Sequence, residues 1–219
     1  MTMAILPGKT DLPPMPPPLA GFEHVRRSWN NQFQSYAARI LPGEFYVTRN
    51  KEGIATTLGS CISACIRDRV LGIGGMNHFM LPATDFSDLG SLKASNLSDA
   101  TRFGNYAMEH LINEIMHNGG RRQNLEVKVF GGGRIISGMT DVGLANITFV
   151  RDYLAMEGLQ VTAEDVGDIY PRMVMFFPAT GMVKVKRLRS LHNNVIVDEE
   201  RRYIDSIKKQ PVSGEIELF

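Results

Sequence analysis

From Gly43 to Leu81 the chain is written in short, strand-length runs with no helical period between them. "EFYVTRN", "GIATTLG", "CISACIRD" and "RVLGIGGMNHFML" follow one another, with turn chemistry around Arg67, Asp68 and Arg69. Helix-length segments come only later. "DATRFGNYAMEHLINEIMHNGG" carries Phe103, Ala107, Leu111 and Ile115 on one stripe and stops at Gly119-Gly120. Ser91 to Ala100, before that stripe, reads as a polar loop. "NLEVKVFGGG" is a buried strand with a glycine loop, and "VGLANITFVRDYLAMEGLQ" is a second helix. "VTAEDVG" and a hairpin, "PRMVMFFPATGMVKVKRLR" turning at Ala179-Thr180-Gly181, return to strand. A doubly wound fold needs strict alternation of strand and helix, which is missing. The expectation is an α/β fold: a single-domain sandwich with a mostly antiparallel or mixed sheet and two long helices.

The flanks divide the rest. Residues 1–22 form a proline-rich arm; Met1 to Gly21 hold six prolines, most in "LPPMPPPL", and read as extended, disordered chain. In residues 23–42, Val25, Trp29, Phe33, Tyr36 and Ile40 recur at spacings of three and four, which predicts an amphipathic helix ended by Pro42. Residues 43–195 are the folded domain, and residues 196–219 a polar helix, "DEERRYIDSIKKQ", with the tail "GEIELF".

Composition narrows the function. With 24 basic and 23 acidic residues the net charge is +1, which gives no electrostatic case for nucleic acid or an anionic membrane. Two cysteines do not build a disulfide scaffold. The N-terminus has no apolar run of signal-peptide length, and no segment approaches the roughly 18 apolar residues of a membrane span. The expected setting is the cytoplasm, with reduced thiols.

Both cysteines lie in one strand. Four residues along a strand separate the Cα atoms of Cys61 and Cys65 by roughly 13 Å, too far for a disulfide and unfavourable for a shared metal. Cys65 is expected in the core. Cys61 has another potential partner. If Arg67 and Val70 flank a two-residue turn, Cys61 faces Met76 and His78 is its diagonal neighbour. A two-residue shift puts Cys61 opposite His78. In both cases the side chains share a face, within about 5–8 Å between Cβ atoms, whereas a one-residue slip would separate them. Such a pair can form a thiolate and imidazolium, a nucleophile with its own proton carrier. Small Gly59 and Ser60 permit close approach, backbone N–H groups at that turn can serve an oxyanion, and Thr56 or Thr57 can orient the imidazole.

"LGSCISACIRD" followed by "GGMNHFMLP" resembles the signature of the CheD family, chemoreceptor glutamine deamidases of bacterial chemotaxis. The likeness continues through "RFGNYAMEHLINEIMHNGG", "LEVKVFGGG", "VGLANITFVRDYLAMEGL", "AEDVGDIYPRMVMFFPATGMVKVKRL" and "GEIELF". It implies an α/β sandwich related to the catalytic domain of deamidating toxins. It also implies Cys61 as nucleophile, His78 as base, and a preceding threonine, Thr56 or Thr57, as the third member. The implied reaction converts receptor glutamines to glutamate through a thioester, with no metal or organic cofactor. The implied partners are the cytoplasmic domains of chemoreceptors and, for some members, a CheC-type phosphatase. A non-catalytic adaptor regulating such a phosphatase is the alternative, and a cysteine protease or transglutaminase-like acyl transferase would share the chemistry.

Other features point elsewhere. His110, Glu114 and His117 share a helix side without a metal-site pattern, so a solvated face is expected. "FGGGRIISG" lacks the spacing of a nucleotide loop and is expected to pass close to the active-site rim. Asn105 and Asn146 are expected on helix surfaces, and "KVKRLR" on a solvated strand edge.

Overall fold

The computed structural model describes residues 12–82, 94–135, 142–189 and 193–209. Among these, ten strands form two five-stranded sheets. The first contains β1 (Arg27–Asn30), β2 (Ser35–Arg39), β4 (Gly53–Leu58), β9 (Arg172–Phe177) and β10 (Met182–Arg187), in the order β1-β2-β4-β9-β10. The second contains β3 (Phe45–Thr48), β5 (Ile62–Asp68), β6 (Gly74–Asn77), β7 (Leu125–Gly131) and β8 (Val161–Val166), in the order β3-β6-β5-β7-β8. Both sheets are mixed: β2–β4 and β7–β8 are parallel, the other pairs antiparallel. One apolar core joins them, with Ile54, Leu58, Val174 and Phe176 from the first sheet and Tyr46, Ile62, Cys65 and Met76 from the second. Helix α1 (Ala94–His117) packs on β3, β5 and β6, and α2 (Val142–Met156) packs on β5 and α1. A third helix, α3 (Asn193–Lys209), follows β10. The α/β sandwich with mixed sheets agrees with the sequence reading.

Three local expectations are corrected. The helix expected over residues 23–42 is the β1–β2 hairpin, in which Trp29 faces Tyr36 with ring centroids 5.2 Å apart. Asn30 decides this: its side-chain oxygen accepts from the N–H groups of Gln32 and Phe33, closing an Asx turn that competes with a helical ladder. The apolar spacing of three and four was compatible with both forms. Next, α1 begins at Ala94, inside the stretch read as a polar loop. Finally, the arm is not free along its whole length. Phe22 is buried edge-on against Phe45 and Tyr46. Pro13 and Pro17 carbonyls accept from the Tyr36 hydroxyl and the Asn50 amide. Residues 1–11 and the "GEIELF" tail lie outside the described residues.

The β5–β6 hairpin sets the position of the cysteine and histidine. Its loop is longer than the two-residue turn: the Asp68 N–H donates to the Ile73 carbonyl, and Cys65 faces Met76. The offset from the expected register is an even number of residues, so face parity survives. An isolated bridge pairs Ile62 with Phe79, which leaves Cys61 and His78 diagonally across the ladder, with Cα atoms about 7–8 Å apart.

Asp68 holds that loop. It is fully buried, and its carboxylate accepts from the N–H groups of Val70, Leu71 and Arg121 and from the Asn124 amide. Burial pushes its carboxyl up, but these donors outweigh burial and leave it below the usual carboxylate range. Its contribution is therefore present above the unfolded carboxylate pKa and lost as pH falls through the folded one. Asp68→Ala strands several buried donors and is expected to lower stability at neutral pH by about 1–3 kcal/mol or more in urea titrations.

Candidate active site

The chain leaves the first sheet at Leu58 and enters the second at Ile62, so Gly59, Ser60 and Cys61 form the crossover. Their three carbonyls are anchored on one side. Gly133 N–H donates to Gly59 O (2.7 Å), the Asn146 amide to Ser60 O (2.8 Å), and Gly132 N–H to Cys61 O (2.7 Å). Gly131 adopts φ +115°, and a Cβ there would strike the Cys61 carbonyl, so the glycine loop after β7 can lie against the crossover only without side chains. The loop thus passes the site rim as the sequence suggested. With the carbonyls tied back, the N–H groups of Gly59, Ser60 and Cys61 converge on one point, a nest for an anion. Asn146 is a correction: it is fully buried rather than on a helix surface, and its side-chain oxygen also accepts from Leu81 N–H (2.8 Å).

The point of convergence is filled by Glu200 of α3. Its Oε1 accepts from Gly59 N–H (3.0 Å) and Cys61 N–H (3.1 Å); its Oε2 accepts from Ser60 N–H (3.0 Å) and the Ser60 hydroxyl (2.5 Å). A Cβ at Gly59 would collide with Ile135 Cδ1 and fall 2.7 Å from Glu200 Oε1, so both side chains would have to shift. Nothing in local sequence marks Glu200, a single acidic residue in a polar helix far along the chain.

His78 faces the first sheet. Its Nδ1 lies 2.7 Å from the Thr56 hydroxyl, which also lies 2.9 Å from the Ile40 carbonyl. A hydroxyl has one proton, and a carbonyl can only accept. Thr56 therefore donates to Ile40 and accepts from Nδ1–H, which leaves Nε2 as the bare acceptor. Among the described residues Nε2 has no hydrogen-bond partner. The choice between the two threonines is decided by strand alternation. Thr56 points between the sheets with Ile54 and Leu58, while Thr57 takes the half-buried outer face. The His78 backbone is held by Glu44 O and Gly43 N–H.

His78 and Tyr203 of α3 line one cavity, and burial pushes the Tyr203 hydroxyl up. Cys61 is fully buried, and its thiol is raised well above the usual range by burial and then by the Glu200 carboxylate. Burial pushes the His78 imidazole down to about 3. Both groups are neutral in this arrangement. Cys65, also free and buried, faces Met76 in the core, and burial raises its thiol too.

The remaining candidates do not assemble a site. His110 stacks on Tyr106, with ring centroids 4.0 Å apart, and Glu114 accepts from the Asn118 amide. Among the described residues, no three His, Cys, Asp or Glu side chains are grouped to hold a metal. Lys184 and Lys186 are exposed on β10, an edge strand, as "KVKRLR" suggested.

Two mixed sheets thus bring into one region a crossover thiol, a set of converging backbone N–H groups and a threonine-held imidazole. Comparison with known proteins supplies the family. The family described as CheD chemotactic sensory transduction matches residues 80–187, a span that begins beyond Cys61 and His78. Relatives cover far more. "Probable chemoreceptor glutamine deamidase CheD" of Halorhodospira halophila is 52% identical over 94% of this chain and 94% of its own. The protein of the same name from Hahella chejuensis is 50% identical over 94% and 97% of the two chains, and that from Hydrogenovibrio crunogenus 54% identical over 83% and 93%. The chain belongs to the CheD family.

The buried imidazole makes a pH prediction. Above about pH 6.5 its neutral ring is the form held by folded and unfolded chains alike. Below that, the unfolded chain takes a proton that the folded ring refuses until about pH 3, so stability falls as pH falls, by up to about 1.4 kcal/mol per pH unit. Urea titrations between about pH 7 and pH 5 should show this slope, and His78→Gln should lose that share of it. Imidazole ¹⁵N spectra should show His78 as the Nδ1–H tautomer.

Proposed function

We propose that the chain is a protein-glutamine deamidase that converts glutamine side chains of chemoreceptors to glutamate, with Cys61 as nucleophile, His78 as proton carrier and Thr56 as the residue that orients it. The observation that carries the reading is the convergence of three backbone N–H groups beside Cys61, close to an imidazole whose open nitrogen is Nε2. The names of the relatives supply the substrate class: each is named "Probable chemoreceptor glutamine deamidase CheD".

The geometry supports a two-stage hydrolysis. His78 Nε2 takes the thiol proton as Cys61 Sγ attacks the glutamine amide carbon. The oxyanion settles among the N–H groups of Gly59, Ser60 and Cys61, where one such donor is typically worth about 10²–10³ in rate. The C–N bond breaks, and ammonia leaves with the proton from His78. Water then attacks the thioester, giving its proton to His78, and the carboxylate and free thiol are released. Thr56 keeps Nδ1 protonated throughout, so Nε2 is always the nitrogen in use. The chemistry uses no cofactor. No described helix is long and apolar enough to cross a membrane, and action on cytoplasmic receptor domains is compatible with that.

A CheC-type phosphatase is a second proposed partner, resting on the resemblance alone. The test is mass spectrometry of a receptor cytoplasmic fragment after incubation, looking for glutamines that gain about one dalton. Cys61→Ala is expected to abolish conversion and Cys65→Ala to retain it. Thr56→Val should cost at least about tenfold in kcat, with Thr56→Ser retaining most activity and Thr57→Ala changing little. Full activity in Cys61→Ala would overturn the mechanism. A wild type that deamidates nothing, yet binds the phosphatase, would establish the adaptor reading instead.

A further inference from the structure

Cys61 has no exposed surface and His78 only 2%. The substrate proposed above is a glutamine side chain of another protein, which cannot reach atoms so covered. The cover is α3. Its contact rests on residues three and four apart, one helix face: Glu200 on the crossover N–H groups, Tyr203 over Gly43, and Ile204 in the core. A Cβ at Gly43, whose φ of +88° itself favours glycine, would fall 3.0 Å from the Tyr203 ring. Asp198, Glu199, Arg201, Arg202 and Asp205 face solvent.

Two observations indicate that this seat is shaped for something other than α3. Glu200 is a buried carboxylate that makes no salt bridge among the described residues; it is held by three backbone N–H groups and a serine. Further along the helix the fit is incomplete. A cavity of about 290 Å³ remains beside His78, between Phe103, Tyr106 and His110 of α1 and Tyr203, Ser206 and Ile207 of α3. A glutamate side chain presented by a helix, with its carboxylate in the oxyanion nest, is the product of deamidating a helical glutamine.

We propose that α3 occupies the seat of the substrate helix, with Glu200 in the position of the deamidated side chain, so that the chain carries its own product-like helix and works on receptors only when α3 is displaced. This rests on the deamidase reading. The neutral state of both reactive groups under α3 accords with a closed, resting form.

A single substitution makes the proposal chemical. In Glu200→Gln the seated side chain becomes a substrate. Cys61 Sγ bonds to the amide carbon, the C–N bond breaks, and ammonia departs with a proton from His78. Water then cleaves the C–S bond, returning the thiol and leaving glutamate at position 200. Amide and water go in; carboxylate and ammonium come out.

The test uses the full chain as wild type, Glu200→Gln, Glu200→Gln combined with Cys61→Ala, Glu199→Gln and Glu200→Ala. Peptide mapping by mass spectrometry should show position 200 reverting to glutamate in the first variant, persisting as glutamine without Cys61, and position 199 persisting as glutamine. Glu200→Ala should alkylate at Cys61 with iodoacetamide, and deamidate a receptor fragment, several-fold faster than wild type. Glutamine persisting at 200 in a protein that deamidates the receptor fragment overturns the proposal, and so does Glu200→Ala acting no faster than wild type. Reversion at 200 with the receptor fragment untouched would instead remove receptors as the substrate while upholding the seat. If neither is converted, the deamidase reading itself fails.

Discussion

The site depends on a backbone arrangement three residues long. Between the two sheets, the carbonyls of Gly59, Ser60 and Cys61 are drawn to one side by Gly133, Asn146 and Gly132. Peptide planes tied at their oxygens present their N–H groups the other way. An unpaired buried N–H is costly, so the crossover requires an anionic or strongly accepting guest. In this structure that guest is Glu200; in the proposed reaction it is the oxyanion. One constraint explains the bare glycines, the buried Asn146 and the docking of a helix from the far end of the chain.

The imidazole is governed by a different rule. Thr56 sits in β4 of one sheet and His78 just past β6 of the other, and their buried hydrogen bond ties the two layers. Because Thr56 has only one proton and spends it on Ile40, the tautomer of His78 follows from a backbone carbonyl a strand away. The geometry of the candidate site is therefore a property of how the sheets stack, which is why it would tolerate little slippage in β5–β6, where Asp68 clamps the turn.

Much was legible from the residues because it depends on local period and parity. The grouping of strands, the hairpins and the second helix come from patterns confined to neighbouring residues. The shared face of Cys61 and His78 survived a wrong turn length because faces depend only on whether an offset is odd or even. Residues 23–42 failed for the converse reason: Val25, Trp29, Phe33, Tyr36 and Ile40 satisfy a helical period, and the Asx turn at Asn30 overrides it. Asn146 was misplaced because a lone asparagine carries no sign of what its helix will be packed against.

By itself the sequence determined the strand-rich α/β character of the chain, the separation of Cys61 from Cys65, the shared face of Cys61 and His78 and the resemblance to CheD. Each of these depends on residue types at short spacing. Only the tertiary structure decided which threonine holds the imidazole, that the crossover N–H groups converge, and that Glu200 and Tyr203 close over the thiol. Those facts bring together residues such as Gly59 and Glu200, more than a hundred positions apart. No periodicity records such contacts, because they exist only once the sheets are stacked and α3 has docked.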